Sequence, residues 1–292
     1  MSENITPRID LAFKKIFGVE ENKDLTISLI NAIVSPEDHI AEITLLNPYN
    51  PQNFANDKLS ILDIKAKSET GKYFNIEIQI SDEADYDKRA LYYWAKLYTE
   101  QLKSGEDYGR LAKAIGIHIL NFTSIPKAKK YHNIFHLKEK EDNLHYFKDM
   151  ELHTIELNKF EANFPQQLND FVLKIKDSLD IWSAFLTRHN LLNPDRLPPQ
   201  MDNPTLKKAL SVLQHINLTP EEREAYENRE KWLRIETNTF KKHFNDGKAE
   251  GKTEEKIEMV KKMLKCGISV DTIAQISGLS YAEIKALEEC KR

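Results

Sequence analysis

Residues 59–80 read LSILDIKAKSETGKYFNIEIQI, two runs of strand-forming residues joined by the polar turn SETGK. In the second run Glu77 and Gln79 stand between Ile76, Ile78 and Ile80. A strand turns successive side chains to opposite faces, so the two polar residues share one face and the isoleucines the other. The first run carries Asp63 between Leu62 and Ile64, an apolar setting in which charge is uncommon. A hairpin-like connection brings Asp63 toward the polar face of the second run.

The pattern on either side alternates between helix and strand. Pro7 opens a helix with apolar residues Leu11, Ala12, Phe13, Ile16 and Phe17, stopped at Gly18. Residues 24–33 form a second helix, and 39–46 a strand. After the hairpin, Ser81 or Asp82 caps a helix over 83–103. Its apolar side holds Ala84, Leu91, Trp94, Ala95, Tyr98 and Leu102, and a separate stripe at three- and four-residue spacing holds Tyr86, Arg89, Tyr93 and Lys96. A buried strand follows over 111–122, then weaker strands over 133–138 and 145–157. Helices interleaved with strands imply an α/β fold, a mixed sheet with helices packed on it.

Beyond residue 158 the pattern is helical. One long helix is expected over 164–187, another over 203–216 and a charge-rich one over 219–248 that Gly247 and Gly251 could interrupt. The chain therefore divides into 1–160, a helical region 161–250 and a C-terminal hairpin 251–292. That hairpin, GISVDTIAQISGLSYAEIKAL, has the pattern of a helix-turn-helix, with Ile273, Ala274, Ile276, Leu279, Ile284 and Leu287 as its core. Its second helix offers Tyr281, Glu283, Lys285, Glu288 and Glu289. An acidic helix suits packing or self-association better than a DNA groove.

Composition narrows the class. The chain has 292 residues, 40% hydrophobic and 30% charged, and a formal net charge of −4. No global basic character points to nucleic acid, so any basic surface is local. No run is apolar for long enough to span a bilayer, and the N-terminal residues lack the pattern of a signal peptide. The two cysteines, Cys266 and Cys290, make neither a zinc spacing nor a disulfide framework, and a reducing cytoplasm is the simplest compartment.

Two carboxylates and an amide converging on a sheet surface suit a hard divalent cation, which takes oxygen ligands. The arrangement Asp63, Glu77, Gln79 resembles the D–x(n)–(D/E)–x–K core of PD-(D/E)XK nucleases. Three longer stretches, IDLAFKKIFG, LDIKAKSETGKYFNIEIQIS and KRALYYWAKLYTEQLKSGEDY, resemble the recombination-promoting nuclease (Rpn) family, whose members also carry the name transposase.

The resemblance implies a restriction-endonuclease-like α/β fold with a helical C-terminal extension, and Mg²⁺-dependent hydrolysis of DNA phosphodiester bonds. Mn²⁺ is an alternative ion. By the same resemblance Asp63 and Glu77 bind the metal, and Gln79 takes the position of the motif's lysine. Glutamine is neutral, so it can orient a water but not accept its proton. Asp10 matches an acid often found on the first helix, and Lys14 lies one turn further on the same face.

Arg89, Tyr93, Lys96 and Lys65 are the candidate contacts to double-stranded DNA, since phosphates attract cations and tyrosine hydroxyls. The bland alternative for each is a solvated side chain, and for Lys127, Lys129 and Lys130 it is favoured. Cutting both strands calls for two active sites or two binding events, and a homodimer would supply the former. Two other classes stay open: a degenerate nuclease fold that binds DNA, and a regulatory protein acting through its helical tail.

Overall fold

The computed structural model describes residues 5–49, 63–82, 85–165, 167–265, 270–277, 279–281, 284, 285 and 287. The chain divides into two compact units, 1–234 and 235–292.

The first unit is built on six strands, β1 (Ile43–Leu45), β2 (Ile64–Ser68), β3 (Tyr73–Gln79), β4 (Ala114–Leu120), β5 (His132–His136) and β6 (Met150–Glu156). They form one mixed sheet in the order β1-β2-β3-β4-β6-β5. β1, β2 and β3 pair antiparallel, β3, β4 and β6 run parallel, and β5 returns antiparallel on β6. The polar turn predicted at SETGK joins β2 to β3, with Gly71 at φ 89°, a left-handed conformation that suits glycine. β4 is buried along its whole length, as its unbroken apolar run requires of a central parallel strand.

Helices cover both faces. α1 (Asp10–Phe17) and α2 (Lys23–Ile33) precede the sheet, and α3 (Tyr86–Thr99) is the crossover from β3 to β4. Parallel neighbours cannot be joined by a tight turn, so a helix must make that return. α3 packs Trp94 and Leu97 on Ala114, and Tyr86 and Ala90 on Leu120 and Phe122. α4 (Leu157–Asn163), α5 (Leu168–Val172), α6 (Ser178–Arg188) and α7 (Pro204–Gln214) follow the sheet, and α8 (Pro220–Lys265) succeeds them. Ile64, Ala66, Phe74 and Ile76 share one continuous core with Phe13 and Phe17 of α1, Trp182 and Phe185 of α6, and Leu206 and Leu210 of α7. The boundary expected near residue 160 therefore does not divide the core, which runs across it.

Several details differ from the sequence reading. The crossover helix begins at Tyr86, not 83, and the residue before it, Asp85, adopts φ 65° with no side-chain cap. Tyr86 is buried and Leu91 is 48% exposed, the reverse of their expected faces. The apolar face of α3 is set by Tyr86, Ala90, Trp94 and Leu97, a stripe at 3.6-residue period that Leu91 does not join. The single helix expected over 164–187 is broken into α5 and α6. Asp177 accepts from Asp180 N at 2.9 Å, and the Asp180 carboxylate accepts in return from Lys176 N at 2.8 Å, so a new helix is capped there. Gly247 and Gly251 do not interrupt α8, since a glycine within a helix costs only about 1 kcal/mol.

In the second unit, α9 (Val270–Ser277) packs Ile273 and Ala274 with Val260, Leu279, Ile284 and Leu287. These are residues of the expected hairpin core. The side chains of Ile276, Glu283, Glu288 and Glu289 lie outside the described residues, as do Ala84 and the start of the first strand run up to Leu62. Among the described residues no helix is long and apolar enough to cross a membrane.

Candidate active site

The register of the hairpin brings the polar residues together. Ile64 of β2 pairs with Ile76 of β3, so Asp63 and Glu77, one position out on each strand, face the same way on the opposite side. Their layer opens into a cleft of about 710 Å³ lined by Asp10, Asp63, Glu77 and Gln79. Lys65 of β2 and Arg89, Tyr93 and Lys96 of α3 line it too. The stripe predicted on α3 thus borders the site, except for Tyr86, which turns into the core. Lys127, Lys129 and Lys130 are exposed and take no part in the lining.

Lys14 is not in the cleft wall but beneath it, fully buried. Its ammonium donates to the carbonyl of Asn47 at 2.7 Å and to the carbonyl of Asp63. Asn47 closes the same knot from the side. Its amide Nδ2 donates to Asp63 O at 3.0 Å, and its Oδ1 accepts from Lys65 N at 2.7 Å. Two polar side chains therefore fix the backbone at the entry of β2, and with it the aim of the Asp63 carboxylate. Sequence reasoning gave Lys14 a place near the site and missed Asn47, which lies in a turn-rich stretch with no motif.

The route of Lys14 also explains Gly18. A Cβ at Gly18 would lie 2.5 Å from Lys14 Cδ and 2.8 Å from Lys14 O, closer than atoms can approach. Gly18→Ala is therefore expected to displace the buried lysine and cost about 1–3 kcal/mol. A urea melt of the variant would measure this, and a wild-type midpoint would refute the tight packing.

Burial sets Asp63 and Asp10 apart from ordinary surface carboxylates. Burial pushes Asp63 up from its ordinary pKa, Lys65 and Lys14 pull it down, and Glu77 adds to the rise. Burial likewise raises Asp10, and Arg229 of α8 opposes it, with Nε 3.3 Å from Oδ2. Burial lowers Lys14 to about 8, and Asp63 acts in the other direction. Oε2 of Glu77 is buried without a hydrogen-bond partner among the described residues, 3.5 Å from Nδ1 of His118. His118 is itself buried and shares a 3.0 Å hydrogen bond with the Tyr86 hydroxyl. It is the direct neighbour of Glu77 across the β3–β4 pairing. A histidine inside a buried strand was its only signal in the sequence.

Asp10 and Lys14 do not form the ion pair that their spacing allows; each is committed elsewhere. Lys65 and Lys96 both approach Glu100, at 3.7 Å. Arg89 lies over the Tyr93 ring, 5.5 Å from its centroid. The Gln79 amide donates to Ser81 O at 3.4 Å, which orients it at the end of β3.

The family model for PD-(D/E)XK nuclease family transposases matches residues 7–243. The chain belongs to this family. No significant match is found among curated proteins or among solved structures.

The sheet and its flanking helices agree with the α/β architecture of a PD-(D/E)XK nuclease. PD-(D/E)XK nucleases take divalent metals, and the donor set can be tested on this chain. Among the described residues no three histidine, cysteine or carboxylate side chains gather closely enough to hold an ion by themselves. An ion such as Mg²⁺ keeps several waters and is bound through one or two carboxylates with substrate phosphate, so it needs no such cluster. The burial of Glu77 Oε2 with no hydrogen bond among the described residues, and the repulsion between Glu77 and Asp63, are what a cation at this position would relieve. The residues present fit the ion.

Proposed function

We propose that this chain is a Mg²⁺-dependent DNA endonuclease that hydrolyses phosphodiester bonds. The observation that carries the reading is the pair Asp63 and Glu77, one oxygen of the latter buried with no hydrogen-bond partner among the described residues, in a cleft also lined by Lys65, Arg89 and Lys96. In this reading Asp63 and Glu77 hold the ion. When bound, the ion supplies Lewis-acid polarisation of the phosphate and lowers the pKa of a bound water. Gln79, oriented by Ser81, holds the attacking water by hydrogen bonds and takes no proton. Lys14 and Asn47 keep Asp63 in place. Arg89, Tyr93, Lys96 and Lys65 receive the backbone phosphates of the duplex. A homodimer would place one such site on each strand, and the breaks it makes would promote recombination.

Nicking of supercoiled plasmid in Mg²⁺, in Mn²⁺ and in EDTA tests the reading. Cleavage by the wild type in either ion, none in EDTA and none by Glu77→Gln in any condition is the expected result. Cleavage by Glu77→Gln equal to wild type would place the chemistry elsewhere. DNA binding without cleavage by the wild type would make the chain a nuclease-fold binding module.

A further inference from the structure

α8 brings a residue into the cleft that belongs to no motif. Its first turn is closed by a capping box, in which Thr219 N donates to Glu222 Oε2 at 2.8 Å and Glu222 N to Thr219 Oγ1 at 3.3 Å. The buried Glu222 carboxylate also takes the Lys15 ammonium of α1 at 2.6 Å and the Tyr49 hydroxyl. One turn on, the Tyr226 hydroxyl accepts from Thr6 N at 2.8 Å. Glu222, Tyr226 and Arg229 are spaced i, i+4 and i+7, one face of a helix. The two contacts that seat that face on the N-terminal segment therefore aim Arg229 at Asp10.

We propose that Arg229 is a phosphate-binding residue of the cleft, positioned by Asp10. Its guanidinium lines the cleft, its side chain is 41% exposed, and Nε faces the Asp10 carboxylate. Among the described residues Asp10 is its only ionic or hydrogen-bonding partner. That leaves the two terminal nitrogens of the fork for a ligand, and a guanidinium fork matches two phosphate oxygens. The other cations in or beneath the cleft are less available. Lys14 is spent on two carbonyls, and Lys65 and Lys96 share Glu100. Asp10 holds the fork in orientation and makes no contact with DNA itself. The inference rests on the nuclease reading for its ligand, a DNA backbone phosphate.

The test is binding of a short DNA duplex by the full chain in EDTA, where no cleavage occurs, titrated at several salt concentrations. Each phosphate contact contributes about 0.9 to the slope of log K against log salt. R229A is expected to lower the slope by about one and to raise KM more than it lowers kcat, and R229K to restore the slope. Should R229A lower the melting temperature, R229Q keeps an N–H at the position of Nε to face Asp10 while removing the terminal nitrogens and the charge, and is expected to show the same loss of slope. An unchanged slope in a folded variant, or a wild type that does not bind the duplex, overturns the proposal. A wild type that binds with an Arg229-dependent slope but cleaves nothing in Mg²⁺ or Mn²⁺ upholds it and defeats the nuclease reading alone.

Discussion

Asp63→Asn is expected to abolish metal-dependent cleavage and at the same time to raise the melting temperature. The first effect follows from the loss of one of two anionic ligands and is expected to reach about 10³-fold, the scale of removing a principal electrostatic element from an active site. The second follows from the direction in which the site displaces its own acid. Burial raises Asp63, and Glu77 adds to the rise, so the folded chain holds the protonated form more readily than the unfolded chain does. Such a group contributes its full stability below the unfolded value and loses that contribution as pH rises through the folded one. At neutral pH the ionised carboxylate is therefore a cost. Asparagine keeps the shape and removes the charge.

A gain of about 1 kcal/mol would move the midpoint by roughly 2–4 °C in a chain of this size. Calorimetry at pH 7 in EDTA measures it, beside the plasmid assay. A lower midpoint would mean that Lys14 and Lys65 already compensate the charge; cleavage at the wild-type rate would remove Asp63 from the site.

Glu151→Ala is expected to be among the most damaging substitutions for stability. Glu151 is 2% exposed and lies at the centre of a chain of polar contacts on the β5 side of the sheet. Its Oε2 takes the Lys113 ammonium at 2.8 Å, and that ammonium also reaches Asp38 at 2.5 Å. Its Oε1 accepts from His153 Nε2 at 2.7 Å, and His153 Nδ1 meets His132 Nε2 at 2.9 Å. Removing one member of a buried ionic network leaves the others without their partners, at about 3–5 kcal/mol. That is a large part of the 5–15 kcal/mol or so that keeps a domain folded.

The same network fixes a window of acid sensitivity. Burial, helped by His153, lowers His132 to about 4. Burial acts to raise Glu151, but the hydrogen bonds from His153 and Lys113 outweigh it and hold the carboxyl at about 2. Both groups are depressed in the fold. Their stability is present above the unfolded values and is lost as pH falls, for His132 from about 6.5 toward 4 and for Glu151 from about 4.5 toward 2. Asp10 and Asp63, both raised, act in the opposite direction, gaining stability as pH falls through their raised values. The share of the midpoint that depends on His132 is therefore expected to be lost as pH falls from about 6.5 toward 4. His132→Gln should remove that share of the pH dependence. The same pH dependence in the wild type and in His132→Gln would contradict the network.

Asp63, Glu77 and Gln79 could be read along the chain because they lie on a local hairpin. A short turn fixes the register of two strands, and a period of two fixes the face of each side chain, so the seventeen residues 63–79 contain their whole geometry. The stripe of Arg89, Tyr93 and Lys96 was legible for the same reason, as a helical period on the crossover that follows. Tyr86 was misplaced because its hydroxyl finds His118 only once α3 has docked on β4. The break between α5 and α6 was written in the sequence as Asp177 and Asp180, yet a continuous apolar pattern concealed it.

Local order, then, is what the amino-acid sequence determined by itself: the strands, most helices and the three polar residues of the hairpin. Dihedral preferences, side-chain periods and caps act over a few residues, and these can be counted. Tertiary structure alone decided that Lys14 lies under Asp63, that Asn47 clips β2, that His118 stands beside Glu77 and that Arg229 reaches Asp10 from far along the chain. Burial sets these contacts and the proton affinities that follow from them, and burial belongs to the packed core, not to any short stretch of chain.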